Sequence, residues 1–310
     1  MNSKVSVIIP TLNAGRVIGP LLDSLKEQSV RCEVVVVDSS SSDDTVRIAE
    51  SSGARVLIIG RREFDHGGTR NLGGRAAGGD VLVYMTQDAR PASRNSIENL
   101  VRPILADKKT GAAFGRQLPC PDATLFAAHL RLFNYPEKTK TSSRRTLADK
   151  SSLGLKAAFL SNAFTAYRRS ALEETGWFTS GVILGEDMLA GARMLLAGFE
   201  LAYEADAAVY HSHNYSVLQE FRRYFDIGVF HSREKWLLEE FGTAGGEGRR
   251  YIVSELSYIL ARRALHLVPE WAVRNGLKLA GYKLGGAHRL LPVRLARRLS
   301  MHPGWAKWHK

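Results

Sequence analysis

Cysteine is scarce: Cys32 and Cys120 are the two in 310 residues. They are too few and too far apart for a disulfide framework or a structural zinc site, and they point to a reducing cytosol. The opening MNSKVSVIIP has no basic leader, long apolar segment or small-residue cleavage site, so no signal peptide is expected. No window of about 18 consecutive apolar residues occurs, which argues against a membrane span. Internal repeats and low-complexity tracts are also lacking, which excludes solenoid and fibrous architectures. Acidic residues thin out at one end: from Arg249 to Lys310 thirteen Lys and Arg stand against two Glu, within a net charge of +12. What remains is a chain long enough to bury a full core.

Apolar runs and turn residues alternate over the first 90 positions. Val5 to Ile9 (VSVII), ended by Pro10, and Glu33 to Val37 (EVVVV) predict buried parallel strands; Arg16 to Gln28 places Val17, Ile18, Leu21, Leu22 and Leu25 at helical spacing. Thr45 to Ser52 and Asn71 to Ala77 predict helices, and Ala54 to Ile59 and Val81 to Met85 further strands. This order predicts an α/β fold, an open and mostly parallel sheet with helices on both faces, whose ligands bind at the carboxyl ends of the strands. Pro10 to Asn13, Asp38, and Gln87 with Asp88 fall at those ends. Later, Lys138 to Lys150 predicts a loop, Phe159 to Ala166 a strand, Ser170 to Thr175 and Asp187 to Ala197 helices, and Glu200 to His211 a last strand. Beyond Ser216 the pattern turns helical, with Val217 to Phe230 and Ser254 to Leu267 separated by Gly242 to Gly248.

Several polar residues carry chemistry at these positions. Asp38 is either an N-cap for the next helix or an acceptor for the ring N–H of a pyrimidine. Asp88, closing YMTQDA, suits a hard divalent cation bridging two phosphates, or else is a turn residue. Glu186 and Asp187 open a helix whose dipole favours their ionised forms; they are a capping pair, or hold a carboxylate able to take a proton from a hydroxyl. His211 and His213 in YHSHNY are core histidines or ligands completing the site begun by Asp88. Gly67 to Asn71 predicts a glycine-rich turn ahead of a helix, with backbone N–H groups and Arg70 able to meet an anionic nucleotide.

Taken in order, VSVIIPTLN, VVVVDSSSSDDT, FDHGGTRNLG, YMTQDA, GEDM and YHSH resemble the motif set of family 2 glycosyltransferases with the GT-A fold, over residues 4 to 215. FDHGGTRN, QDA, GRQLP and LSNAFTAYRRSAL are similar to bacterial rhamnosyltransferases that build polysaccharide from dTDP-rhamnose. The resemblance implies a catalytic domain over 1–215 and a helical region over 216–310. It further implies that Pro10, Thr11, Asn13, Asp38, Arg70 and Gln87 bind a nucleotide-sugar donor, and that Asp88 and His211 hold Mg²⁺ or Mn²⁺. Asp187 would be the base, with Glu186 beside the saccharide or lipid-linked acceptor and Trp177 and His213 on that side. Gln87 stands where many relatives carry a second acid. An inverting single displacement follows, and relatives using UDP-glucose, UDP-galactose or other donors are the alternative.

A nucleotidyltransferase would want a basic glycine-rich loop after the first strand, which PTLNAG lacks. A nucleic-acid partner is suggested by charge alone, and the tail carries no such motif. Its Leu256, Ile259, Leu260, Leu267, Trp271, Leu277, Leu290, Leu291, Leu295 and Trp305, interleaved with Arg and Lys, fit helices lying on an anionic membrane surface. They fit equally well packing on the catalytic domain or on a second copy in a homo-oligomer. The expected location is cytoplasmic, peripheral at the inner face of the cell membrane.

Overall fold

The computed structural model describes residues 4–137, 144–242 and 246–308. Its first part alternates as expected: Val5–Thr11 (β1), Ile18–Lys26 (α1), Cys32–Asp38 (β2), Thr45–Ser51 (α2), Arg55–Ile58 (β3), His66–Ala76 (α3) and Val81–Met85 (β4). Arg90–Pro91 (β5), Ser96–Ala106 (α4), Thr110–Leu118 (β6), Leu125–Asn134 (α5), Arg144–Arg145 (β7) and Lys150–Leu153 (α6) follow. Phe164–Arg168 (β8), Arg169–Glu174 (α7), Glu186–Leu196 (α8) and Glu200–Tyr210 (β9) complete the sheet. Then come Val217–Arg233 (α9), Lys235–Phe241 (α10), Glu247–Ala261 (α11), Val268–Gly286 (α12) and Val293–Leu299 (α13).

Among the described residues one nine-stranded sheet runs β3-β2-β1-β4-β8-β6-β9-β5, with β7 also on β9. The β3-β2-β1-β4 half is parallel, and β8 runs antiparallel between β4 and β6, so the sheet as a whole is mixed. Both faces are covered, which is why the strands read as unbroken apolar runs rather than alternating ones. Ile8, Val35, Val37, Leu82 and Tyr84 enter one core; Val7, Ile9, Val36, Val81 and Val83 enter the other. Helix α1 lays Ile18, Leu21, Leu22 and Leu25 on the second.

Three expectations change. Pro10 does not end β1: the strand pairs with β4 over Val5–Ile8 but follows β2 to Thr11, so the missing N–H falls where one side of the strand is unpaired. Within the loop expected from Lys138 to Lys150, residues 138–143 lie outside the described residues, whereas Arg144 and Arg145 form an edge strand. Glycines 67 and 68 lie inside α3 rather than in a turn ahead of it, and Gly67 is needed because a Cβ there would collide with the Thr179 carbonyl.

The boundary expected after residue 215 separates the sheet from helices but not one core from another. Phe225, Val229, Phe230, Leu237, Phe241 and Trp305 belong to the same cluster as Ile8 and Tyr84. Helices α9 and α12 touch backbone to backbone: a Cβ on Gly281 would meet the Phe221 carbonyl, one on Gly285 that of Phe225, and one on Gly228 that of Tyr282. Two of the tail's cations are buried beside them, Arg274 against Glu220 at 3.1 Å and Lys278 between Glu220 at 3.6 Å and Glu255 at 3.7 Å. Of the ten apolar tail residues named above, Ile259 and Trp305 are core, Leu267, Trp271 and Leu291 pack against core, and Leu260, Leu290 and Leu295 face outward. No helix of the described residues is long and apolar enough to cross a membrane.

Candidate active site

The carboxyl ends of β1, β2 and β4 bring the first group together. Thr11 sits opposite Asp38 in register, and its hydroxyl donates to Asp38 Oδ2 at 2.9 Å. The Asp38 carboxylate is fully buried and also accepts Ser41 N–H at 2.8 Å and Ser41 Oγ at 2.6 Å. It therefore braces the loop after β2, while Asp44 stands at the N-terminus of α2. Asn13, at a left-handed φ of 49°, locks the facing loop by accepting Ser42 N–H at 2.9 Å and donating its own N–H to Ser41 Oγ at 2.7 Å. The Gln87 amide pairs with the backbone of Leu12, accepting at 2.9 Å and donating at 3.3 Å. Pro10 lies half-buried between these loops and the strand.

One residue past Gln87, Asp88 faces two imidazoles: His211 Nε2 at 3.5 Å from Oδ1 and His213 Nδ1 at 3.7 Å from Oδ2. The three ligand atoms lie within 4.8 Å of one another. His211 Nδ1 meets Gln117 Oε1 at 2.8 Å, and Gln117 Nε2 donates to Ser161 Oγ at 2.9 Å. With the Gln117 oxygen facing Nδ1, that nitrogen carries the proton and Nε2 presents a lone pair toward Asp88, the form a metal-binding imidazole takes. Burial pushes the His211 pKa down to about 3, so the ring stays neutral. Burial works against the Asp88 charge, while hydrogen bonds from the Thr86 hydroxyl and the backbone act to keep its carboxyl below the ordinary range. This donor set of one carboxylate and two imidazoles fits a divalent cation. His213, expected on the acceptor side, thus stands in the Asp88 cluster. Its ring stacks on Tyr215 at 5.2 Å, and the Arg223 guanidinium extends the stack 6.0 Å from the Tyr215 centroid.

The second group gathers where α8 begins. Gly185, at φ 82°, turns the chain into the helix with the Phe230 ring packed where a Cβ would go. Glu186 is buried and pairs with Arg70 at 3.2 Å, and Asn162 Nδ2 donates to the same oxygen at 3.1 Å. Asn162 N–H donates to Asp187 Oδ2 at 3.0 Å, and Met188 N–H to Oδ1 at 2.8 Å. The helix dipole does not keep both acids low. Burial acts to raise Glu186, yet the Arg70 guanidinium, with the hydrogen bond from Asn162, holds it below its ordinary value. Asp187 is pushed up to about 7, first by burial and then by the neighbouring Glu186 charge. A carboxylate with its pKa near neutrality beside a fixed anion suits proton abstraction.

Arg70 thus serves the acid pair, and its Nε is buried without a partner among the described residues. The Gly68 N–H expected to meet phosphate is taken by the Asp65 side chain at 2.6 Å. Trp177 is buried, at φ 62°; its ring packs on Gly74 and beneath the Arg75 guanidinium at 4.7 Å, beside a groove of about 640 Å³ lined also by Arg169, Glu173 and Gly176. The ring thus packs on α3, against Gly74 and Arg75. Sequence reasoning assigned no role to Asn162, Gln117, Tyr215 or Arg223; the first two stood inside the LSNAF and GRQLP phrases.

Residues 6–176 match the family described as Glycosyl transferase family 2. The chain is 42% identical over 305 residues to the O-antigen chain rhamnosyltransferase RfbN of Salmonella typhimurium, covering 97% of this chain and 96% of that one. It is 41% identical to the O-antigen chain rhamnosyltransferase WbaN of Salmonella anatum, covering 97% and 95%. Among solved structures, the mannosyltransferase PcManGT of Pyrobaculum calidifontis, in complex with GDP-Man and Mn²⁺, has a similar fold, with a TM-score of 0.59 at 19% identity over 99% of this chain and 86% of that one. Sheet, strand-end site and family match agree: the chain belongs to glycosyl transferase family 2 and is an inverting glycosyltransferase of the GT-A fold.

Proposed function

We propose that the enzyme transfers L-rhamnose from dTDP-rhamnose to a saccharide or lipid-linked acceptor during polysaccharide synthesis. The observation that carries the chemistry is the pairing of a raised Asp187 with a buried, charge-fixed Glu186. What supports the sugar is the likeness to the two Salmonella rhamnosyltransferases over nearly the whole chain. Asp187 takes the proton of the acceptor hydroxyl as that oxygen bonds to the anomeric carbon, and the bond from that carbon to the diphosphate breaks with inversion. Asn162 orients both acids, and Arg70 keeps Glu186 charged, so the proton goes to Asp187. Thr11, Asn13 and Asp38 shape the pocket for base and ribose, and Pro10 and Gln87 hold its walls. Asp88, His211 and His213 would hold Mg²⁺ or Mn²⁺. When bound, the ion supplies positive charge that stabilises the departing diphosphate.

A donor panel tests the sugar. With chromatographic detection of free nucleotide in the presence of Mn²⁺, dTDP-rhamnose is expected to be hydrolysed at least about tenfold faster than UDP-glucose, UDP-galactose or GDP-mannose, a difference of about 1.4 kcal/mol in transition-state binding. Equal or faster loss of another donor rejects rhamnose while leaving the base assignment intact.

The same reading places the enzyme at an anionic bilayer, which would present a lipid-linked acceptor. Its support is the outward set Leu290 (86% exposed), Val293 and Leu295 among Arg289, Arg294, Arg297 and Arg298. Vesicles containing phosphatidylglycerol should sediment the protein at low salt and release it at high salt. Leu290→Asp should weaken that binding; sedimentation that ignores both salt and this substitution rejects membrane docking.

A further inference from the structure

His66 and His302, from opposite ends of the chain, meet ring to ring, centroids 5.2 Å apart and planes at 89°. His66 opens α3 one turn before Arg70, whose Nη1 donates to the His66 carbonyl at 2.9 Å while pairing with Glu186. His302 is held in place by its own segment. The buried Asp226 on α9 accepts Met301 N–H at 3.0 Å and His302 N–H at 3.1 Å, and Trp305 beyond it is sunk in the core. Phe64 closes the other side of His66, edge-on at 5.1 Å.

A histidine that only fills space in a core has its ring nitrogens bonded or sealed. Among the described residues none of the four ring nitrogens here has a protein partner, and none is buried away from solvent. Burial, with the nearby cations, lowers the His66 pKa, and burial with the His66 ring lowers His302 to about 4, so both rings are neutral. A neutral imidazole offers one donor and one acceptor, the complement of a sugar hydroxyl and a poor match for a diphosphate. The pair also lies at the acid end of the site: the Glu186 charge acts on His66 and His302, while the Asp88 charge acts on His211 and His213.

We propose that His66 and His302 together bind hydroxyl groups of the acceptor saccharide beside Asp187, so that the segment from Ser300 to Trp305 is an acceptor-selecting wall of the active site. The proposal rests on the reading of Asp187 as base. It deepens that reading by assigning the acceptor its own subsite, built partly from a segment more than a hundred residues beyond that base.

The test uses the full chain, saturating dTDP-rhamnose and a panel of octyl glycosides, the one that the wild type glycosylates fastest being carried forward; dTDP affinity is read by calorimetry. His302→Ala is expected to raise the acceptor KM about 5- to 30-fold, the effect of one or two lost hydrogen bonds, with kcat and dTDP affinity held. His302→Gln, which keeps a donor and an acceptor, should recover part of the loss. His66→Gln should act on the same parameter, and the two substitutions together should cost less than the product of their separate effects. An unchanged acceptor KM in His302→Ala, or dTDP affinity falling in step with it, overturns the proposal. Should His302→Ala lower the melting temperature, the two Gln variants decide by the same criteria. Failure of the base assignment shows separately, as turnover retained in Asp187→Asn.

Discussion

Asp187→Asn lowers turnover by about 10² to 10⁴ while dTDP binding stays within the range of the wild type. Asparagine preserves the volume, and its carbonyl oxygen can still accept one of the two N–H groups, from Asn162 or Met188, that the carboxylate oxygens of Asp187 accept separately. What it cannot do is accept the acceptor's proton. The wild-type pH profile carries the same information. Asp187 must be ionised to act, and its pKa stands near 7, raised by burial and by Glu186. Activity per acceptor encountered therefore rises with pH through about 7 and levels off above it, and the residual activity of Asp187→Asn lacks that step. Glu186→Gln, which removes the neighbouring anion, should move the step to lower pH. Turnover in Asp187→Asn above about a tenth of wild type excludes Asp187 as the base.

Asp88→Ala abolishes the dependence of donor binding on divalent cation: affinity for dTDP-rhamnose with Mn²⁺ falls to the value measured with chelator. The carboxylate is the cluster's anionic ligand, and the two imidazoles left behind are neutral. His211→Ala should act in the same direction. Gln117→Ala grades the effect, because it leaves all three ligands in place and removes the partner that holds the His211 proton on Nδ1. Losses of this outer kind run to about 10- to 100-fold in metal affinity, so the order expected is Asp88→Ala, then His211→Ala, then Gln117→Ala. Titration of Mn²⁺ followed by electron paramagnetic resonance measures all three directly. Wild-type transfer that survives exhaustive chelation would return the histidines to a structural role.

The parallel half of the sheet was legible because both its faces are buried, and VSVII, EVVVV and VLVYM show that as continuous runs. Strand β6 was not, because TGAAFGRQL is built from small residues. Gly115 there passes so close to the Phe164 ring and the Ala207 carbonyl that no side chain fits. The tail was legible as helical, but its packing was not: three-dimensional contact with α9 is what requires Gly281 and Gly285 in α12. In the candidate site, Asp88, His211 and Asp187 drew attention because they stand at strand and helix ends. Asn162 and Gln117 did not, since each works by orienting another side chain and nothing in their own spacing records that. The Asp187 pKa was read with the wrong sign, because a local dipole was weighed without the burial and the Glu186 charge that outweigh it.

The burial of Ser300 and Trp305 also ties the far end of the chain to the sheet's core. Strand β1 pairs with β2, its neighbour in sequence, so the contact of Thr11 with Asp38 closes through one short helical connection. The contact of His302 with His66 closes a loop spanning most of the chain. That closure is the costlier of the two in chain entropy, so the C-terminal segment is expected to order after the strands.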